Sequence, residues 1–454
     1  MTAALSSPVR PPAVAGAFYP ATAAELRAAV GTLLTGAGAA EAPAPKALIA
    51  PHAGYIYSGP IAAAAYAQVA AHRDAYRRVV LLGPAHRVRL RGLALPSARE
   101  FATPLGRIPI DAQAVASLRA LPQVCVSDEA HALEHSLEVH LPFLQQALGD
   151  FTLVPLAVGS ATPEEVAGVL DLLWGGDETL VVVSSDLSHY LDYARARQMD
   201  GRTAELILGM APQINHEQAC GATPVNGLLQ AATRRGLRPR MLDLRNSGDT
   251  AGDRSRVVGY ASFAFYAPPQ PDEAQGKILV ALARAAIARR FGLQFTVMDD
   301  LLWLRSRAAT FVTLKLDGRL RGCIGSLSAH RSLRDDVREN ALAAAFRDPR
   351  FPPLGFDELA RVRIEVSLLS APQPMAFRDE ADALSQLRPG IDGLIFEHGM
   401  HRSTFLPQVW ENLPAPAVFL GELKRKAGLA ADFWDAGVHL SRYTVAKWAE
   451  PQAR

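Results

Sequence analysis

The sequence predicts an α/β N-terminal domain joined to an α+β C-terminal domain with an antiparallel sheet. Between residues 46 and 183, continuous apolar runs alternate with helical stretches, the pattern of strands covered on both faces. After residue 300 the strand-like runs alternate in polarity, and a tight Asp317-Gly318 turn signal joins two of them, as in an antiparallel hairpin. Between these regions lies Ala267-Pro268-Pro269-Gln270-Pro271-Asp272-Glu273. Three prolines in four positions suit neither a helix nor a central strand. The domains therefore read as residues 1–267 and 275–454, with a Pro-rich linker over 268–274.

Composition narrows the function classes. At 454 residues the chain exceeds one ordinary domain of about 150 residues. Its 47 Lys+Arg against 45 Asp+Glu exclude a chain-wide polyanion surface, so no nucleic-acid partner is expected. A hydrophobic fraction of 49% excludes wholesale disorder. Only Cys125, Cys220 and Cys323 are present, too few for a disulfide framework or a four-thiolate zinc site. Residues 1–14 (MTAALSSPVRPPAV) lack a basic head followed by an apolar run, so no signal peptide is expected. No run reaches the about 18–20 apolar residues of a membrane span. The expectation is a cytoplasmic protein with no membrane contact, compatible with a homo-oligomer.

The elements follow in order. Residues 46–50 (KALIA) form a short strand ending at Pro51-His52-Ala53-Gly54, followed by a helix over 60–71. Residues 78–82 (RVVLL) end in Gly83-Pro84-Ala85-His86. Residues 179–183 (TLVVV) run into Ser184-Ser185-Asp186-Leu187-Ser188-His189. In α/β sheets ligands bind beyond the carboxyl ends of the strands, and three such ends here carry a histidine. Residues 257–266 close the domain as a strand. Beyond the linker come a helix over 276–291, a hairpin from 311–316 and 319–324, a helix over 333–346 and a strand over 362–369.

Eight of the twelve histidines lie between residues 52 and 216. His52 and His86 follow strands expected to be neighbours, which would set their loops side by side. Two imidazoles and one anionic ligand make a three-ligand metal site with open positions, the anion coming from Cys220 or a carboxylate. In Glu134-His135-Ser136-Leu137-Glu138-Val139-His140, helical spacing puts Glu134 and Glu138 on one face and His135 with Glu138 on another. Asp186 and His189 are likewise three apart. Such carboxylate–imidazole pairs orient the ring. His140 is a further pocket candidate. His72, His131 and His216 read as surface or satisfied polar residues, and Cys125 as a packing residue.

Several stretches resemble the Memo family, also called AmmeMemoRadiSam system protein B. They are Val14-Ala15-Gly16-Ala17-Phe18-Tyr19-Pro20, Ala50–Tyr55, Leu82–His86, Glu134–Phe143, Ser184–His189 and Cys220-Gly221. The resemblance implies a fold like the class III (LigB-type) extradiol dioxygenases and iron or copper held by His52, His86 and Cys220. It places Asp186, His189, His135 and Glu138 around the pocket. Ring-cleaving dioxygenases use a carboxylate where Cys220 stands, so their activity does not follow from the fold. A redox or oxygen-dependent reaction is expected, with His189 as acid/base and its pKa set by Asp186 or the metal. Zinc is the alternative metal and would accompany hydrolysis.

The second domain resembles the AMMECR family, AmmeMemoRadiSam system protein A, through Leu320-Arg321-Gly322-Cys323-Ile324-Gly325, Ala345–Leu354, Ile364–Ser367, Gly390–Leu394, Phe405–Trp410 and Lys426–Leu429. Cys323 is a candidate nucleophile or thiyl-forming residue, with a packing role as the alternative. Arg319, Arg321, Arg347 and Arg350 with Lys424 and Lys426 make a candidate anion patch, and Glu365 a candidate partner for Arg321. Both families are named for association with a radical S-adenosylmethionine (radical SAM) protein. Its CxxxCxxC motif is absent here, so that protein is expected as a separate partner acting on an unknown small-molecule or peptide substrate. The rival reading is a non-catalytic pocket for an anionic or phosphorylated peptide.

Overall fold

Strands that are apolar at every position need cover on both sides, and the N-terminal unit supplies it. The computed structural model describes residues 9–38, 40, 43–267, 271–375 and 377–451. The chain divides into two compact units, Met1–Pro268 and Pro269–Arg454. Residues 268–270 of the expected linker lie outside the described residues.

The first unit contains β1 (Ala47–Ala50), β2 (Arg78–Pro84), β3 (Leu93–Leu95), β4 (Val124–Val126), β5 (Thr152–Val158), β6 (Thr179–Ser184), β7 (His189–Leu191), β8 (Arg238–Asn246) and β9 (Val257–Tyr266). They form a nine-stranded sheet in the order β7-β9-β1-β6-β2-β5-β3-β4, with β8 beside β9. The centre, β1-β6-β2-β5, is parallel, while β9 runs antiparallel to β1 and β3 antiparallel to β5. The outer pair β3–β4 is parallel again, so the sheet is mixed.

Alternation along each central strand feeds two cores. Ile49, Val80, Leu82, Val181 and Val183 pack on one face with α5 (Pro163–Leu173) and α6 (Ala222–Arg234). Leu48, Val79, Leu81, Leu180 and Val182 pack on the other with α1 (Ala23–Gly36), α2 (Tyr55–Ala70) and α4 (Leu141–Ala147). Each such side chain contributes about 1.5–3 kcal/mol on burial.

Three expectations change here. β1 and β2 are not neighbours, because β6 lies between them. β6 is buried at every position, which suits the middle of a sheet, and order along the chain does not reveal that insertion. The helix expected from residue 60 begins at Tyr55 and contains Pro60. Cys125 is exposed, on the short edge strand β4, and does not pack in the core.

Glu138 closes α3 (His135–Glu138) and anchors the N-terminal segment. Its Oε1 accepts from the Val14 amide at 3.0 Å and the Tyr19 hydroxyl at 2.5 Å. Its Oε2 accepts from the Ala13 amide at 2.7 Å and pairs with the buried Arg10 guanidinium. Four donors converge on one carboxylate, so Glu138 is held in place rather than facing a ligand.

The second unit begins with α7 (Glu273–Arg289), capped by reciprocal Asp272–Gln275 bonds. Its first sheet runs β11 (Arg319–Gly325), β10 (Arg307–Leu316), β12 (Val362–Leu369) and β16 (Val445–Ala449), all antiparallel. The β10–β11 turn has Asp317 at φ 50° and Gly318 at φ 82°, the two left-handed residues of a tight hairpin. α8 (Leu333–Phe346) packs on this sheet, and Gly322 permits the contact: a Cβ there would lie 2.1 Å from the Ala344 carbonyl oxygen. A second antiparallel sheet holds β13 (Gly393–His398) between β14 (His401–Phe405) and β15 (His439–Tyr443), with α9 (Pro416–Lys426) against it.

Glu138→Ala should leave Arg10 buried without its counter-charge and cost about 3–5 kcal/mol. Denaturant unfolding of the full chain measures this, and a loss below about 1 kcal/mol contradicts the anchoring role.

Candidate metal centre

The carboxyl ends of β1, β2 and β6 meet at one edge of the sheet. β1 delivers His52, β2 delivers His86, and β6 between them ends in Ser184. Ser184 Oγ donates its only proton to the Ser136 carbonyl at 2.6 Å. Toward His52 Nδ1, also at 2.6 Å, it therefore acts as acceptor. His52 is thereby fixed as the Nδ1–H tautomer, and its Nε2 lone pair is left open. Glu134 does the same for His86: Oε1 lies 2.9 Å from Nδ1, while Oε2 accepts the His86 amide at 2.5 Å. Both imidazoles thus present Nε2 in the same way, the arrangement by which carboxylates and carbonyls orient metal-binding histidines.

Cys220 arrives from a third direction, just before Gly221 at the N-terminus of α6. The Cys220 amide bonds the Asp186 carbonyl at 3.2 Å, and the Gly221 amide bonds Ser185 Oγ at 3.0 Å. A Cβ at Gly221 would lie 2.5 Å from the Ser184 carbonyl oxygen, so glycine lets the helix end approach this loop. Cys220 Sγ lies 3.4 Å from His52 Nε2. The ligand atoms of His52, His86 and Cys220 all lie within 4.8 Å of one another.

The electrostatics suit a cation. Burial, then the neighbouring imidazoles, push His52 well below its ordinary pKa, which keeps it a neutral lone-pair donor. Burial, then the Asp186 charge, pushes the Cys220 thiol up to about 12; a coordinated metal reverses that by deprotonating the thiol outright. Burial works against the Glu134 carboxylate, yet the His86 ring and the Ser136 and His86 amides hold it down at about 2. Two nitrogens and a thiolate form a donor set that suits borderline and soft metals.

Asp186 is buried, and burial raises its carboxyl to about 7. Its Oδ1 accepts the His52 amide at 2.8 Å and its Oδ2 lies 4.0 Å from His52 Nε2. It serves His52, not His189 as the three-residue spacing suggested. His189 is solvent-accessible on one side and bonds the Leu187 carbonyl at 2.9 Å through Nδ1; partial burial of the ring, not Asp186, is the largest cause of its lowered pKa. The reason is local: the chain between them forms no helix.

The expected helix faces in 134–138 also resolve differently. Glu134 is the N-cap of α3 with φ −78° and ψ 126°, outside the helix, so it shares no face with Glu138. His135 stacks on His86 at 4.8 Å and stands 3.4 Å from Glu134 Oε1. Glu138 points instead to Arg10 and the N-terminal segment. His140 is buried and bonds Tyr66 at 2.8 Å. His131 is buried on the Ala94 carbonyl at 2.9 Å, and His216 is exposed. Sequence reasoning missed Ser184, Ser136 and Glu134 as supports of the ligand rings. Glu134 stands out beside His135 but helical spacing gives it the wrong partner, and Ser184 closes an apolar strand ahead of Asp186.

A family model for Memo-like proteins matches residues 10–264. The chain belongs to the Memo-like family. A second model, AMMECR1, matches residues 280–448, so a Memo domain and an AMMECR1 domain are joined in this chain. A MEMO1 family protein of Aquifex aeolicus is 36% identical over 274 residues, covering 57% of this chain and 99% of that protein. One from Ignicoccus hospitalis is 37% identical over 284 residues, with the same 57% and 99% coverage. Among solved structures, an uncharacterised protein of Pyrococcus horikoshii is 31% identical, covers 39% of this chain and 93% of its own, and gives a TM-score of 0.37. Among the described residues no helix is long and apolar enough to cross a membrane.

The Memo domain's buried histidines set a pH dependence. Burial lowers His131 to about 4 and His140 to about 3. Between these values and about 6.5 the unfolded chain binds more protons than the native state, so stability falls as pH drops. Asp186 and Asp200, raised to about 7 and about 6 by burial, act in the opposite direction, but the lowered imidazoles His52, His131, His135 and His140 outnumber them. The melting temperature of metal-free protein should fall from pH about 6.5 to about 4, less steeply when His131→Asn and His140→Gln are combined. A flat profile contradicts the burial of these rings in neutral form.

Proposed function

We propose that the Memo domain is a LigB-like oxidoreductase whose iron or copper is held by His52, His86 and Cys220. The observation that carries this is the convergence of those three ligand atoms within 4.8 Å, with both rings steered through Nδ1 by Ser184 and Glu134. Membership of the Memo-like family supports an enzyme built on this site. Three protein ligands leave positions for substrate or oxygen. When bound, such a metal would supply electron-transfer or oxygen-activating chemistry.

The chain's own groups handle protons. His189 keeps Nε2 free, since Nδ1 bonds Leu187, and its exposure lets it meet a substrate. It is the acid/base candidate. Asp186, titrating near neutrality beside His52, would hold or release a second proton. His135, stacked on His86, would line the pocket. In this reading the fold follows the class III extradiol pattern, the protein is cytoplasmic, and it acts with a separate radical SAM protein on a small or modified substrate.

Anaerobically purified protein should carry about one iron or copper per chain, and His52→Ala and Cys220→Ser should lose it. Ser184→Ala should weaken binding about 10–100-fold, because the ring loses its orienting acceptor. Stoichiometric metal in both ligand variants contradicts the assignment. Zinc as the sole metal would move the reading to hydrolysis.

A further inference from the structure

The cations that the sequence gathers into one patch separate in the AMMECR1 domain. Arg321 forms a two-pronged pair with Glu358, Arg347 reaches Glu339, and buried Lys424 pairs with Glu380. Glu365 serves Lys315 and Lys447, not Arg321. Arg319 is exposed at the start of β11. Arg350 bonds the Cys323 carbonyl, and Lys426 interacts electrostatically with both Arg350 and Cys323.

Cys323 lies half-buried on β11, an edge strand, with Sγ 3.3 Å from Thr313 Oγ1 on β10. Asp348 is buried; its Oδ2 accepts the Cys323 amide at 2.8 Å. Arg350 is locked onto Asp348 by Nε at 2.9 Å and Nη2 at 2.7 Å, and Nη2 also bonds the Cys323 carbonyl at 3.1 Å. Lys426 ends α9; its Nζ bonds the Thr404 carbonyl at 3.0 Å and stands 5.0 Å from the centre of the Phe405 ring. Burial, then Arg350, lower the Lys426 pKa, while Cys323 opposes the shift, so the three groups share one electrostatic neighbourhood.

The charges there do not balance. Asp348 offsets one cation, and among the described residues Lys426 has no carboxylate within ion-pair distance. One positive charge is left beside a thiol. A thiolate, or an oxyanion on a ligand, would neutralise it.

We propose that Cys323, Arg350 and Lys426 form a second reactive site, a nucleophilic thiol that takes a small electrophile bearing a carboxylate or similar oxyanion. Lys426 and Arg350 receive the oxyanion, and the thiolate attacks the adjacent electrophilic carbon. The S–C bond forms as the bond to the leaving group breaks; the leaving group departs with its electron pair, and the thiol proton passes to solvent.

Paired alkylation of the full-length protein tests it. Iodoacetate and iodoacetamide meet the same thiolate and differ in charge, so their rate ratio reports the local field and not the thiol's ionisation. Peptide mass spectrometry reads Cys323, exposed Cys125 as internal reference, and Cys220 separately. The iodoacetate-to-iodoacetamide ratio at Cys323 should exceed that at Cys125 by about fivefold. Lys426→Gln should bring the two ratios together, and Lys426→Arg should keep them apart, both with near-wild-type melting. A Cys323 ratio no higher than that of Cys125, or one unchanged by Lys426→Gln, overturns the proposal and leaves Cys323 as a packing residue.

Discussion

Ser184 has a single hydroxyl proton, and it goes to the Ser136 carbonyl. Much of the Memo-domain site depends on that. The oxygen is left as an acceptor, so His52 carries its proton on Nδ1 and turns Nε2 toward Cys220. Ser136 belongs to the same short segment as Glu134, which fixes His86 in turn. One loop therefore sets the tautomers of two rings that arrive from different strands. The buried strand β6 makes this work, because its carboxyl end lies between theirs. Geometry of this kind is the usual requirement for a metal site held to a defined orientation.

The residues around that loop divide by task. Glu134 and Glu138, four positions apart in the sequence, face different demands: one orients the His86 ring, the other ties down residues 10–19. Helical periodicity would have put them together, and a one-residue shift of the helix start separated them. The tied segment in turn brings Phe18 against His135 at 4.8 Å, so the N-terminal clamp and the pocket wall are mechanically continuous.

Much of this was legible in the sequence. The apolar runs at 78–82 and 179–183, and the strand 257–266, read directly as strands because their composition admits little else. The hairpin at Asp317-Gly318 was readable for the same reason, since its two left-handed residues suit few others. What stayed hidden was spatial order. Nothing in residues 46–86 announces that a strand starting at Thr179 inserts between β1 and β2. Partner choice was hidden as well: Asp186 turned to His52 and Arg321 to Glu358, because ion pairs follow tertiary packing and not sequence spacing. Cys125 looked apolar in context, but a three-residue edge strand leaves its side chain in solvent.

The central claim is that one sulfur and two imidazoles share a metal. X-ray absorption at the metal edge of the loaded protein tests it most directly. The account predicts one sulfur scatterer at about 2.3 Å and two nitrogen scatterers at about 2.0–2.1 Å, with the sulfur lost in Cys220→Ser. A spectrum with only nitrogen and oxygen neighbours, or a sulfur signal that survives Cys220→Ser, would contradict it.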